Sequence, residues 1–468
     1  YETVINAPDP HNVRSLREEE LTRTPGSFGD PMRVIESLPG VSQVVWPLAI
    51  YAIRGANPGN TGFFVDGVRM PALYHFALGP SVIHPYFIEQ VDFYPGGYPI
   101  RYGRYASGVV AAKTRTPPAD RVHGSADVRL FDAGGLVVTP INEGRGSVAV
   151  AARMSYTGLI FSVLSPDYTF NYWDYQLRVE HKLGPGRLVL FGFGSGDRLG
   201  RKSRPDDDAQ LDFHRLNARW LGAALGGRLA VDAIVGYDRS ATSIKNLVPL
   251  PISVRSFTTG GRLAYVRPLV ERLELELGGD GEYQRLRPRS QLMVAQEQDL
   301  FQNRSAVLGG AYAALNLRTG KASSWSLGLR HDLFVQQGTS VGEWGPRLSA
   351  RQHVGGDVYL KAAAGRFVQQ ASLPVSVPGF ESFGLATYGT QWSWQGSAGV
   401  EAPLGTALQL DVTGFFQRFQ LTDLDSVFNY DPQLQIVDKR DGRAYGMELL
   451  IRRPVRERFY GWLSYTLS

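Results

Sequence analysis

The sequence predicts a membrane all-β protein, a large antiparallel transmembrane β-barrel that follows a small α+β domain. Three observations carry this. From about Gly124 onward, apolar and polar residues alternate with a period of two, segment after segment. The connections between those segments alternate between tight turns and long loops. The residues before Gly124 obey a different grammar, with mixed helix and strand signals punctuated by Gly and Pro.

The alternation is explicit in several places. Tyr175, Leu177 and Val179 interleave with Gln176, Arg178 and Glu180. Leu273, Leu275 and Leu277 interleave with Glu274 and Glu276, and Trp325, Leu327 and Leu329 with Ser326, Gly328 and Arg330. Leu408, Leu410 and Val412 enclose Gln409 and Asp411, and Tyr445, Met447, Leu449 and Ile451 enclose Glu448. Each is a strand with one apolar and one polar face, and roughly seventeen such strands are expected by this pattern. Short connections include Gly184-Pro185-Gly186, Leu225-Gly226-Gly227, Val354-Gly355-Gly356, Pro403-Leu404-Gly405 and Pro454 to Glu457. Long ones are expected over Thr157 to Tyr172, Ser195 to Leu211, Leu286 to Gln302, Val368 to Thr390 and Gln420 to Asp441. Outer-membrane barrels have tight periplasmic turns and long outer loops, whereas a soluble sandwich has no reason to place its long loops at every second connection. The first strand then rises from the periplasm, and so does the last, Phe459 to Leu467. An odd count leaves an edge whose backbone groups are unpaired in hydrocarbon, so the chain is expected to continue past Ser468 for several strands.

Composition narrows the class. The chain has 468 residues, no Cys, 53 Gly, 22 Tyr, 23 Phe and 8 Trp. The lack of Cys excludes a disulfide scaffold and thiolate metal sites. A net charge of +5, spread along the chain, gives no nucleic-acid signature. No run of about 18 apolar residues occurs, which excludes a transmembrane helix. A mean hydropathy of −0.17 is compatible with barrel strands, which are apolar on one face only. No charged-then-apolar leader opens the chain, so Tyr1 is expected to lie in a mature region.

The N-terminal part divides in two. Residues 1–23 read as an extended, polar lead-in, charged from Arg14 to Glu20. Residues 24–120 read as the α+β domain, and residues 121–468 as the barrel. Asp30-Pro31 predicts a helix start, with Met32, Ile35 and Leu38 on one face and Pro39-Gly40 as the stop. Strands are expected over Tyr51-Ala52-Ile53, Gly62-Phe63-Phe64-Val65, Gln90 to Tyr94 and Gly108 to Ala112.

An ordered set of phrases lies in this region. They are Asp30 to Val41 (DPMRVIESLPGV), Ile53-Arg54-Gly55, Val65-Asp66-Gly67, Ile88-Glu89-Gln90-Val91, and Arg101-Tyr102-Gly103-Arg104 leading into Ser107-Gly108-Val109-Val110. Their order and spacing over 24–117 resemble the plug domain of TonB-dependent outer-membrane receptors. The resemblance implies a barrel of about 22 strands when complete, occluded by the plug. It also implies residence in the Gram-negative outer membrane, in contact with its lipid, and energy supplied by TonB with its inner-membrane complex. Glu2, Thr3, Val4 and Ile5 resemble the TonB box, a short extended segment suited to strand addition, with Pro8 and Pro10 behind it. Where many members carry an Arg before the glycine of the run, this chain reads Tyr94-Pro95-Gly96-Gly97, which puts that plug-to-wall ion pair in doubt. Arg54, Arg101 and Arg104 are the candidates for plug–barrel contacts.

A ligand would bind between plug apex and outer loops. The candidates are Tyr74, His75 and Phe76, His84 and Tyr86 in plug connections, and Phe383 and Tyr388 on a long outer loop, beside Phe380. Tyr168, Phe170, Tyr172 and Trp173 form a second aromatic group, for which an interfacial girdle is the competing reading, favoured for Trp173. Asp206-Asp207-Asp208 reads as a solvated loop before a cation site. The eight His lack metal-ligand spacing, and neither a nucleophile elbow nor a phosphate loop occurs. Neither a catalytic residue, a cofactor nor a metal is therefore expected. The function expected is import of a scarce extracellular ligand, such as a metal chelate, cofactor or oligomeric nutrient. The alternative is a plugged barrel that acts as a structural or assembly component and holds other outer-membrane or surface proteins without import.

Overall fold

A computed structural model describes residues 13–468 apart from 28, 46–47, 78, 159–166, 205, 244–251, 291–301, 321–322, 374–377, 379–383, 425–435 and 454–459. The N-terminal domain contains β1 (Arg14–Arg17), α1 (Glu18–Arg23), β2 (Val41–Gln43), β3 (Tyr51–Ile53), β4 (Gly62–Val65), β5 (Val68–Arg69), β6 (Ile88–Tyr94) and β7 (Val109–Thr114). Five of these strands form one sheet in the order β1-β6-β7-β4-β5. The pairing of β4 with β7 is parallel, and the other pairs are antiparallel. Leu16, Leu21, Val34, Ile35, Val65, Phe87, Val91 and Val110 make its core. Ordered structure thus begins inside the segment read as a lead-in, because Arg14–Arg17 alternates buried and open positions along β6.

The expected helix after Asp30 is instead a five-residue 3-10 turn, Arg33–Ser37. Asp30 does cap backbone, accepting from Met32 N at 2.9 Å, and its other oxygen accepts from Ser81 N at 2.5 Å. With Pro39 and Gly40 so close behind, the segment has no length for a full α-turn ladder.

The rest of the chain is β8 (His123–Val128), β9 (Asp132–Ile141), β10 (Gly146–Ser155), β11 (Tyr168–Leu183), β12 (Gly186–Arg201), β13 (Asp208–Ala224), β14 (Gly227–Thr242), β15 (Ile252–Val270), β16 (Leu273–Ser290), β17 (Arg304–Arg318), β18 (Ser324–Gln336), β19 (Thr339–Gly355), β20 (Val358–Gln370), β21 (Thr390–Leu404), β22 (Leu408–Leu424), β23 (Ile436–Arg453) and β24 (Gly461–Leu467). These seventeen strands form a single barrel, and each is antiparallel to the next. The ring closes between β24 and β8. Seventeen is odd, so those two strands run in the same direction, and the seam stands where a free edge was expected.

Several strands reach further than their alternation predicts. β12 runs to Arg201 and β13 starts at Asp208, so the expected long connection from Ser195 to Leu211 shrinks to 202–207. β11 begins at Tyr168, β16 ends at Ser290 and β22 ends at Leu424, each inside a segment expected to be loop. Above the lipid, the outward face no longer needs apolar residues, so the pattern fades while the backbone ladder continues. Two outer connections are short, residues 129–131 and 337–338, and break the expected alternation.

Side chains sort by face. Leu263, Leu277, Leu315, Leu327 and Leu329 point outward. Trp173, Tyr237, Phe257, Tyr283 and Trp344 face out toward the upper end, and Trp325 toward the lower. Trp173 therefore belongs to the interfacial girdle, stacked beside Tyr175. Phe170 and Tyr172, on the opposite parity, point inward and are buried. Among the described residues, no helix is long and apolar enough to cross a membrane, and the strands do the crossing.

An arginine placed in the outward band must be desolvated in hydrocarbon. Leu263→Arg is expected to destabilise the barrel by about 2–4 kcal/mol in lipid, read from urea unfolding. Leu225→Arg, on an exposed turn, is expected to stay within about 0.5 kcal/mol of wild type.

Candidate functional site

The lumen holds the N-terminal domain, so the wall's inward polar face meets protein. The contacts start from backbone geometry. Among the described residues of this domain, four that are not Gly have positive φ: Arg54 (50°), Asp66 (48°), Phe76 (45°) and Arg104 (65°). Such conformations cost of order 1–3 kcal/mol each and persist only where surrounding contacts hold them. All four touch the barrel wall.

Arg54 sits in the Ile53-Arg54-Gly55 turn. Its Nε donates to Glu448 Oε1 on β23 at 2.8 Å and its Nη2 to Oε2 at 3.0 Å. Arg14 Nη2 donates to Oε2 of the same carboxylate at 2.7 Å, and Arg14 Nη1 to Pro39 O at 2.7 Å. Glu448 is fully buried, and the Arg54 guanidinium also covers the Phe415 ring at 4.5 Å. A Cβ on Gly96 would stand 3.0 Å from Arg54 Nη1. In the run where the family often carries Arg, the structure has a bare backbone beside Arg54, and Gly97 N donates to Gln395 Oε1 at 3.1 Å.

Asp66 and Gly67 both have positive φ, as a two-residue hairpin turn between β4 and β5 requires. The turn also needs Gly for space, since a Cβ at Gly67 would collide with Arg262. Asp66 accepts from Thr114 N at 2.9 Å and from Arg178 Nη1 on β11 at 3.0 Å. Its carbonyl accepts from Arg219 and that of Gly67 from Arg262. Burial would raise the Asp66 carboxyl, but Arg178 and Arg219 outweigh it and hold the group below the usual range.

Arg104 pairs with Asp280 on β16 and lies 3.6 Å from Asp332 on β18. Arg330 joins the same carboxylates at 2.6 and 2.8 Å. Arg101 differs from the other two candidates. Its carbonyl accepts from Arg262 Nη2 at 3.3 Å, and its guanidinium covers the Tyr102 ring at 5.2 Å. Arg347 on β19 donates to the carbonyls of Tyr98, Pro99 and Tyr102.

The structure redirects the expected ligand residues. His75 is fully buried between two wall carboxylates, Asp197 and, at 3.1 Å, Asp174. Phe76 N donates to Asp197 Oδ2 at 2.9 Å, Arg153 Nε to Asp174 Oδ2 at 2.7 Å, and the His75 ring stacks on Tyr172 at 4.3 Å. Burial works against charge on His75, but Asp197 and Asp174 outweigh it and raise its pKa. Tyr74 is buried edge-on to Tyr51, and His84 is buried with Nδ1 accepting from Tyr86 N at 3.2 Å. Tyr86 lies half-buried under the Arg115 guanidinium at 4.9 Å. Phe76 meets Phe170 edge-on at 5.9 Å. Tyr388 lies half-buried in the outer connection between β20 and β21. Phe380, Phe383 and the Glu2, Thr3, Val4 and Ile5 segment lie outside the described residues. In the acidic run, Asp208 pairs with Arg198 at 3.0 Å and Asp207 lies 3.9 Å from Arg201 and Arg204.

Beside the inner domain, facing β13 to β16, is a cavity of about 110 Å³. Thr61, Phe63 and Met70 line it on one side, and Arg215, Asp238 and Gln284 on the other.

A family model described as the TonB-dependent receptor plug domain matches residues 8–110. Solved structures agree across the whole chain. The siderophore receptor PirA from Pseudomonas aeruginosa aligns at a TM-score of 0.70 with 18% identity, covering 99% of this chain and 85% of that one. The FrpB iron transporter from Neisseria meningitidis aligns at 0.70 with 14% identity, covering 98% and 79%. The alcaligin outer-membrane receptor FauA from Bordetella pertussis aligns at 0.71 with 13% identity, covering 98% and 80%. No curated protein matches the chain in sequence.

Residues 8–110 carry a TonB-dependent receptor plug domain, and the chain as a whole has the plugged-barrel fold of those solved structures.

Its place is the Gram-negative outer membrane, with the tight turns toward the periplasm. The residues that hold plug to wall include many whose wall contacts the sequence did not indicate. Arg14, Asp66, Glu448, Asp174, Asp197, Asp280 and Arg347 all stand on inward or turn positions. For those on barrel strands, alternation marks a wet-face residue and says nothing of its partner.

Glu448→Gln leaves two buried guanidinium groups facing a neutral amide. It is expected to destabilise the plug–barrel contact by roughly 3–5 kcal/mol, read from the urea midpoint and from new tryptic cleavage at Arg14 and Arg54. The His75 contact has a signed pH dependence. A raised folded pKa means that its stabilisation is complete below the unfolded value and is lost as pH rises through the folded one. The stability gap between wild type and His75→Gln is therefore expected to be widest in mild acid and to shrink on going alkaline. A gap that does not change with pH would refute this.

Proposed function

We propose that the receptor is an energy-coupled importer, in which a ligand captured on the outer side passes the wall when TonB draws on the plug's N-terminal segment. The observation that carries this reading is the form of attachment. Among the described residues, plug and barrel share no β-sheet; their strands lie in separate sheets. They are joined by side-chain ion pairs, side-chain-to-backbone hydrogen bonds and apolar side-chain contacts such as Phe87 on Phe191, and by no strand ladder. The plug can shift without breaking a strand ladder whose loss in lipid would be prohibitive. A cavity of about 110 Å³ lies beside the plug.

Glu2, Thr3, Val4 and Ile5 are the segment proposed to add a strand to TonB. Arg54 and Arg104 are the proposed plug-to-wall latches, and Arg101 a residue of the cavity lining. Phe76 and Tyr388 remain proposed outer contacts for ligand, while Tyr74, His75 and His84, and Tyr86 beneath Arg115 at the periplasmic side, act in holding the plug. Ferric siderophores are the first ligand class to assay, because solved structures of like fold are described as siderophore receptors and iron transporters. The fold and family are those of receptors rather than of enzymes.

Pull-down by the TonB periplasmic domain tests the reading directly. Intact receptor is expected to bind, and a form lacking residues 1–7 to lose both binding and ligand uptake. Equal behaviour of the two forms in both assays would overturn import through this segment and leave a holding role in its place.

A further inference from the structure

The outer wall carries a charge pattern that neither the plug nor the lumen uses. Arg239 on β14 stands directly opposite Arg255 on β15, and Arg255 directly opposite Arg287 on β16. Arg285 and Arg289 flank Arg287 on the same strand, opposite Phe257 and Ser253. Their neighbours Val254, Ser256, Gln284 and Leu286 are buried and face inward, so all five arginines face outward. Arg255, Arg285, Arg287 and Arg289 are exposed, and Arg239 is half-buried.

Like charges directly opposite on neighbouring strands destabilise a sheet unless something neutralises them. Asp212 stands opposite Arg239 on β13. Among the described residues, Arg255, Arg285, Arg287 and Arg289 have no carboxylate ion pair, although the wall's inward arginines are repeatedly paired. Height supplies the second observation. Tyr237, Phe257 and Tyr283 lie immediately below on the same outward faces of the same three strands, and below them come Val235, Leu263 and Leu277. Aromatic residues of that kind mark the boundary between hydrocarbon and headgroups. The arginines therefore stand at the level of the outer leaflet's headgroups, turned toward lipid. Neighbouring strands lie about 4.8 Å apart, so the row across three strands spans roughly 10 Å. A guanidinium fork matches a phosphate in charge and geometry.

We infer that the outer face of β14 to β16 binds the phosphate groups of phosphorylated lipids in the outer leaflet. The patch neutralises its own cross-strand repulsion by doing so and fixes the height of this wall in the membrane. The inference is independent of import, since none of these side chains faces the plug or cavity.

The test uses full-length receptor, delipidated in detergent and then titrated with a bis-phosphorylated glycolipid or its dephosphorylated form. Bound lipid is counted by native mass spectrometry. Wild type is expected to retain the phosphorylated form preferentially. Retention is expected to fall at least about tenfold in R255Q/R287Q/R289Q, given a contribution of about 1 kcal/mol per arginine near an anionic surface. R255K/R287K/R289K, which keeps the charge, should retain most of it. R121Q/R145Q/R272Q removes equal charge from exposed sites at the periplasmic end and should match wild type. Heat-modifiable gel mobility confirms that each barrel is folded. Equal retention by wild type and the glutamine variant would overturn the inference. So would wild type binding both lipid forms alike, or loss in the variant of binding to a soluble polyanion with lipid retention intact.

Discussion

Backbone amides and carbonyls inside hydrocarbon have only one another as partners, and the rest of this structure follows from that. A strand that must pair on both sides presents one face to lipid and one to the lumen, which makes the sequence alternate. The inward face is wet or protein-covered and so can be polar. It becomes densely charged here, with Arg153, Asp174, Arg178, Asp197, Asp280, Arg330 and Glu448 all buried or nearly so against the plug. Those charges would be intolerable in an apolar interior and are stable only as compensated groups. The plug is thus selected by the wall, and its own charged turns are the complement.

Complementarity is obtained through strained turns. Arg54, Asp66, Phe76 and Arg104 adopt left-handed backbone, and each presents a charged side chain or an N–H to the wall. A left-handed residue reverses the chain within one position, so the group at the tip of a tight turn projects farthest from the plug's sheet. The contact that holds the turn in place is the same contact that holds the plug in the barrel. Loss of one wall partner therefore removes an ion pair and releases local strain together.

Much of the fold was legible because periodicity is a direct image of burial. Seventeen strands and the compact N-terminal domain follow from alternation and from Gly and Pro punctuation. Strand ends were not legible, as β12 and β13 show, because hydrogen bonding outlasts the amphipathic pattern once a strand rises clear of lipid. At the site, Arg54 and Arg104 could be named from their motifs, and both meet carboxylates on the wall. His75 looked like an exposed aromatic-loop residue. Its partners Asp174 and Asp197 lie about a hundred or more residues away in sequence, and a register of two hairpins is needed to bring them together. A separation of 434 residues likewise hides Glu448 from Arg14.

The direction of β1 has a mechanical consequence. On the descending strand β23, Glu448 precedes Arg452, which binds Glu20 of α1. The Arg14 end of β1 therefore lies deeper in the lumen than the helix that follows it. Its partners on β6 run from Phe93 at Arg14 to Gln90 at Arg17. A load applied to the chain ahead of Val13 would reach β1 at its inner, Arg14 end first. Strand pairs loaded in that way open one at a time, like a zipper, whereas pairs loaded along their length resist together in shear. The Arg14–Glu448 ion pair stands at the first tooth of such a zipper.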